Sequence, residues 1–150
     1  MMELIDCTFA GWPNVAQKEP IVDAIGLGTE IVECARVRAM IEEHGERFLE
    51  RIYTPDELRW CQSRKNTTEH FAAVWAAKEA VFKCLKVAGR SGSPWTQIEI
   101  DLRDDVPRAK IRGVLRDRMI EAGVGGVLLS TAFSRHYATA TAIALKSSGG

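Results

Sequence analysis

The chain has 150 residues, 46% of them hydrophobic, enough for one domain whose core needs no disulfide or metal staple. Its 20 lysines and arginines cancel its 20 aspartates and glutamates, so no global field draws nucleic acid or a membrane surface, and a charged partner has to be met by a local patch. No apolar run reaches the ~18 residues of a membrane span, Met1 to Pro20 lacks the basic head of a signal peptide, and the 4 cysteines (Cys7, Cys34, Cys61, Cys84) form no Cys-x-x-Cys pair; a cytoplasmic enzyme or binding domain with reduced core thiols is the expectation.

Residues 1–20 show no clear periodicity and read as an N-terminal extension, 21–146 as the domain, and 147–150 as a C-terminal tail. Ile21 to Val32 is rich in β-branched residues and passes through Gly26 and Gly28, which predicts a strand whose backbone bends or lies close to something. A helix follows from Cys34 to His44, stopped by Gly45. Thr54-Pro55-Asp56-Glu57 supplies an N-cap, a proline at the first helical position and a carboxylate at the third, so another helix starts at Thr54. Asn66 opens a long helix that runs through Leu85, and Gly89 to Pro94 is a loop by composition. Ile98 to Leu102 and Ala109 to Arg112 alternate with period two. Val114 to Ala122 has helical spacing and ends at Gly123, and Val127 to Phe133 and Tyr137 to Leu145 read as strands joined tightly through Ser134-Arg135-His136. Helices in the first half and paired strands in the second give an α+β fold, a mainly antiparallel sheet packed with a long helix.

Within the long helix, Trp75-Ala76-Ala77-Lys78-Glu79-Ala80-Val81-Phe82-Lys83 sets a carboxylate and two ammonium groups against an aromatic stripe. At about 100° per residue Phe71, Val74, Trp75, Phe82 and Leu85 share one face, the pattern of an amphipathic helix lying on a core. Lys78 falls inside that apolar arc, where an ammonium either snorkels to the edge or meets a buried anion. Glu79 and Lys83 share the adjoining stripe with Lys86; as an exposed i,i+4 pair they would add only a few tenths of a kcal/mol. Arg36, Arg38, Arg47 and Arg51 recur around the first helices with Met40 and Phe48 between them, a pattern that suits either an acidic partner helix or a solvated face. Gly26-Leu27-Gly28 lacks the third glycine of a dinucleotide fingerprint, and no crossover unit follows it.

Two segments together, Ile25-Gly26-Leu27-Gly28-Thr29-Glu30-Ile31-Val32-Glu33 and the helix around Lys78-Glu79-Ala80, resemble the holo-acyl-carrier-protein synthases of the 4'-phosphopantetheinyl transferase superfamily. The likeness continues through Arg51-Ile52-Tyr53-Thr54-Pro55-Asp56-Glu57-Leu58, Trp95-Thr96-Gln97-Ile98-Glu99-Ile100 and Tyr137-Ala138-Thr139-Ala140, so it spans Ile25 to Leu145 in order. The resemblance implies magnesium-dependent transfer of phosphopantetheine from coenzyme A to a serine of an acyl-carrier protein, in fatty-acid or related acyl-chain synthesis. It also implies a homotrimer with sites between subunits. It makes Glu30 and Glu79 the metal ligands, Glu79 and Lys83 the catalytic pair, Lys78 and Lys83 the contacts to coenzyme A, and Arg36, with Met40 and Arg47, the surface for the carrier protein. Three positions depart from the family pattern. Glu30 stands where aspartate is usual, Val74 where an arginine meets a coenzyme A phosphate, and Phe133 where a histidine ends the strand, with His136 three residues on. A homologue that binds carrier protein or coenzyme A without transfer is the rival these departures leave open.

Overall fold

The computed structural model describes residues 23–87 and 94–147. β1 (Ala24–Glu33) leads into α1 (Cys34–His44), α2 (Glu46–Ile52) and α3 (Pro55–Gln62); α4 (Thr67–Cys84) then crosses the molecule. A 3-10 turn at Trp95–Gln97 opens a hairpin of β2 (Ile98–Asp101) and β3 (Arg108–Ile111), and α5 (Gly113–Glu121), β4 (Val124–Phe133) and β5 (Tyr137–Lys146) complete the described chain. β1, β5 and β4 form an antiparallel three-stranded sheet in that order, and β2 and β3 pair separately. The α+β architecture expected from the sequence is the one observed. The expectations for residues 1–22, the loop 88–93, the tail 148–150 and Cys7 lie outside the described residues.

The sheet and α4 meet through small residues. In register, Gly26 lies opposite Ala144, Gly28 opposite Ala142, Glu30 opposite Ala140 and Val32 opposite Ala138. These alternate positions face α4, whose own alanines at 73, 76, 77 and 80 are fully buried. A Cβ at Gly26 would run into the carbonyl of Cys84, and one at Gly28 into the carbonyl of Ala80, so the two glycines set how closely β1 approaches the helix. The other face of the sheet is open: Leu27, Ile31 and Leu128 are 69%, 64% and 56% exposed, and Ile143 joins Leu27 to Leu128 across the strands.

The aromatic side of α4 packs under α1–α3 and the 3-10 turn. Phe48, Trp75, Trp95 and Phe82 pack in edge-to-face pairs, as do Tyr53 and Phe71. α4 is therefore buried on nearly every side, a correction to the one-faced helix expected from its periodicity. Alanine explains the difference, since a mostly alanine face shows little hydrophobic contrast yet suits close packing against a sheet. The helix starting at Thr54 has the expected capping box: Thr54 Oγ1 accepts from Glu57 N–H at 3.3 Å, and Thr54 N–H donates to Glu57 Oε2 at 2.7 Å. Asn66 occupies the N-cap of α4, but its side chain makes no capping bond. α2, not anticipated as a separate helix, follows at once from Gly45, whose φ of 54° ends α1 and redirects the chain. Cys34, Cys61 and Cys84 are free and buried; burial pushes the Cys61 thiol up to about 12 and the Cys84 thiol up to about 11, which keeps both unreactive.

Candidate active site

The close approach of β1 to α4 brings three of the sequence-predicted residues together. Glu30 follows Gly28 on the helix-facing side of β1, and its Oε2 lies 3.0 Å from Lys83 Nζ, one turn beyond Glu79 on α4. Glu30 Oε1 accepts from the Ile31 N–H at 3.0 Å, so both oxygens of the carboxylate are oriented. Lys83 Nζ also donates to the Thr29 carbonyl at 3.0 Å, which leaves one of its three N–H groups for a further acceptor. Glu79 is partly buried, and its carboxyl is pushed above the ordinary glutamate range, first by loss of water and then by the negative charge of Glu30; Lys83 and Arg36 offset part of this.

Two hard carboxylates close enough to repel each other are a donor set suited to magnesium, which takes one or two carboxylates and completes its shell with water and phosphate oxygen. Among the described residues no cluster of three or more His, Cys, Asp or Glu side chains is placed to hold a metal ion. Trp75, one turn before Glu79, borders this cluster, although its periodicity assigns it to the core face. Its ring carries the Arg36 guanidinium at 5.6 Å from the centroid, and its indole N–H reaches toward Glu79 without completing a hydrogen bond. The spacing of four between Trp75 and Glu79 was the available signal.

Lys78 does not belong to this cluster. It is fully buried on another side of α4, with Nζ 2.7 Å from Glu57 Oε2, 2.6 Å from the Ile52 carbonyl and 3.1 Å from the Trp95 carbonyl. All three ammonium protons are used and none faces solvent, so the expectation that Lys78 contacts coenzyme A is corrected: it is the buried-anion alternative of the two its position allowed. Arg36 and Met40 lie one turn apart on α1, and Met40 and Arg47 line a groove of about 450 Å³ with Glu43, His44, Phe48 and Arg51.

Residues 26–142 match the family model of the 4'-phosphopantetheinyl transferase superfamily. The chain belongs to that superfamily. It is 43% identical over 117 residues to a holo-[acyl-carrier-protein] synthase of Rhodopirellula baltica, across 77% of this chain and 93% of that one. The fold is similar to that of holo-[acyl-carrier-protein] synthase from Neisseria meningitidis, with a TM-score of 0.74, 27% identity and coverage of 81% of this chain and 98% of the other. An ACPS-CoA complex from Chronobacterium ammoniagenes superposes with a TM-score of 0.69 at 27% identity, covering 83% and 98% of the two chains.

Two of the positions at which the resemblance implies a departure, Val74 and Phe133, are treated differently by the structure. Val74 is fully buried in α4. An arginine there would have to bury its guanidinium. Phe133 is 44% exposed, and its ring lies 4.8 Å from that of His70. His70 in turn packs at 5.1 Å on Trp60 and makes a 2.7 Å bond through Nδ1 with the Asn66 carbonyl. The imidazole beside Phe133 thus comes from the first turn of α4 at His70, while His136 is exposed in the β4–β5 turn, where its carbonyl accepts from Cys34 N–H at 2.8 Å.

Proposed function

We propose that the protein transfers 4'-phosphopantetheine from coenzyme A to a serine of an apo acyl-carrier protein, with magnesium and with release of adenosine 3',5'-bisphosphate, in cytoplasmic acyl-chain synthesis. The observation that carries this reading is the convergence of Glu30, Glu79 and Lys83 at the β1–α4 contact, with Lys83 bonded to Glu30 and Glu79 raised by both burial and Glu30. Glu30 and Glu79 would hold magnesium, which when bound would offset the negative charge of the pyrophosphate. The unused N–H of Lys83 would donate to a phosphate oxygen, and hydrogen bonds of this charged kind are worth about 1.5–3 kcal/mol. Glu79, whose carboxyl is pushed above the ordinary glutamate range, orders the acceptor of the serine proton. Chemistry of this class rests on positioning and electrostatics, both of which a rigid strand–helix contact supplies.

The carrier protein is placed against Arg36, Met40 and Arg47. The supporting features are the groove of Met40, Arg47 and Arg51 and the exposed guanidinium of Arg36 over Trp75, which puts the basic surface next to Glu79. Assembly as a homotrimer is supported by the open sheet face of Leu27, Ile31, Ile143 and Leu128, an apolar row that a monomer would leave in water. Among the described residues no helix is long and apolar enough to cross a membrane. Binding without transfer is the second reading, favoured only by Val74 and Phe133. Incubation with coenzyme A, magnesium and an apo carrier protein separates the two. A mass increase of one phosphopantetheine on the carrier is expected, and binding of both substrates with no increase would establish the second reading.

A further inference from the structure

The transfer reading leaves the most deeply buried charges without a task. Among the described residues, Glu57 and Lys78 form the one ion pair whose side chains are both shut off from water, at 1% and 0% exposure respectively, whereas the pairs at Glu30 and Glu99 each have a half-exposed partner. The pair is also a junction. Lys78 reaches the last residue of α2 through the Ile52 carbonyl and the 3-10 turn through the Trp95 carbonyl. Glu57 takes the Thr54 N–H at the start of α3 and the Ile100 N–H of β2 at 2.6 Å. Two side chains therefore tie α2, α3, the 3-10 turn and β2 to α4, at the residue next to Glu79.

The opposite side of α4 explains why such a tie is useful. Helices and sheets lock through ridges of side chains, and here the ridges are alanines over Gly26, Gly28, Ala138, Ala140, Ala142 and Ala144. That surface allows close approach but resists rotation or sliding weakly. The larger side chains across the helix are themselves placed by the pair: Trp95, whose carbonyl Lys78 holds, packs edge-on against Phe82 and Trp75, and Trp75 lies beside Glu79. Fixing register is the best-attested use of buried polar groups.

Resting on the transfer reading for its consequence, we infer that the Glu57–Lys78 pair is the positioning device of the site: it sets the rotation of α4 on β1 and so holds Glu79 opposite Glu30. Neither residue touches substrate. Replacing both by uncharged side chains of similar size, Glu57→Gln with Lys78→Met, removes the cost of burying charge and keeps an acceptor for the Thr54 N–H, but takes away the directional anchor.

The test compares the parent, Lys78→Met and the double variant by thermal unfolding, by amide resonances in two-dimensional NMR, and by kcat and KM for transfer. Lys78→Met alone should unfold at a clearly lower temperature, and the double variant should recover much of that loss. In the recovered double variant the amides of Gly26, Gly28 and Glu79 should still be displaced, and kcat should fall at least ~tenfold with the KM for carrier protein unchanged, because misplacing a reacting group by about 1 Å costs about a hundredfold. A folded double variant with parental resonances at Gly26 and Gly28 and parental kcat would overturn the inference. If the double variant does not fold, Lys78→Arg keeps the charge but cannot place a planar guanidinium in the same pocket, and it should show the same displaced amides; parental positions there would overturn the inference equally. The resonances need no substrate, so a parent that transfers nothing defeats the transfer reading while the amides still decide the positioning one.

Discussion

Lys78 and Lys83 lie little more than a turn apart on α4, and each meets a glutamate from another element, yet the two pairs do opposite things. Lys78–Glu57, at 2.7 Å, is sealed, and every donor on the lysine is spent on the protein. Lys83–Glu30, at 3.0 Å, is open: the lysine is 51% exposed, keeps one N–H unspent and stands beside a second carboxylate. Burial sorts the same chemistry into a sealed structural tie and a pair left open to solvent. The sealed pair also bears the cost of its place, since loss of water pushes Glu57 up and Lys78 down, each toward its neutral form, while each supports the other's charge.

Glu57→Ala attacks the sealed pair and should cost about 3–5 kcal/mol, because it leaves an ammonium buried without its anion. Urea unfolding measures this, and a cost below about 1 kcal/mol would erase the distinction between the pairs. Lys83→Met attacks the open one. Stability should change by at most about 1 kcal/mol, as for other exposed pairs, while transfer should drop roughly ten- to a hundredfold in kcat/KM. Arg36→Glu sharpens the contrast at the rim of the open site, raising the KM for an acidic carrier protein with little effect on coenzyme A, and the parent's own carrier KM should rise with salt. An unchanged carrier KM would remove Arg36 from the interface. The smallest effect concerns Lys86, the third lysine of the run, which matters for its backbone: with φ at 56° it closes α4, and Val87 N–H bonds back to the Phe82 carbonyl at 3.0 Å. Lys86→Gly should gain at most about 1 kcal/mol in the same urea experiment, with no change in transfer.

The sequence made legible whatever has a local cause. Thr54-Pro55 with Glu57 marked the start of α3, and Gly26 and Gly28 marked a close approach whose partner proved to be the Ala80 and Cys84 carbonyls. Glu30, Glu79 and Lys83 were legible by resemblance, and the structure gathers them. Lys78 was not, because its position in an apolar arc allowed two fates and only the fold supplies Glu57, an acid already assigned to a helix cap. The single apolar face expected for α4 failed for a related reason: alanine periodicity does not record a sheet on the far side. His70 beside Phe133 depended on a contact between α4 and β4 that no local pattern encodes.

Glu79 offers the most direct test of the open site, because stability and transfer should part company there. Its folded carboxyl lies above the ordinary glutamate value, so the native state binds that proton more tightly than the unfolded chain, and the stability this contributes at low pH is lost as pH rises through the folded value. Glu79→Gln should therefore be at least as stable as the parent at pH 7, an advantage that disappears below about pH 4.3. Intact-mass analysis of carrier protein incubated with coenzyme A and limiting magnesium should show phosphopantetheine added by the parent and none by Glu79→Gln. Equal modification by the two proteins would contradict the assignment of Glu79, and with it the site at the β1–α4 contact.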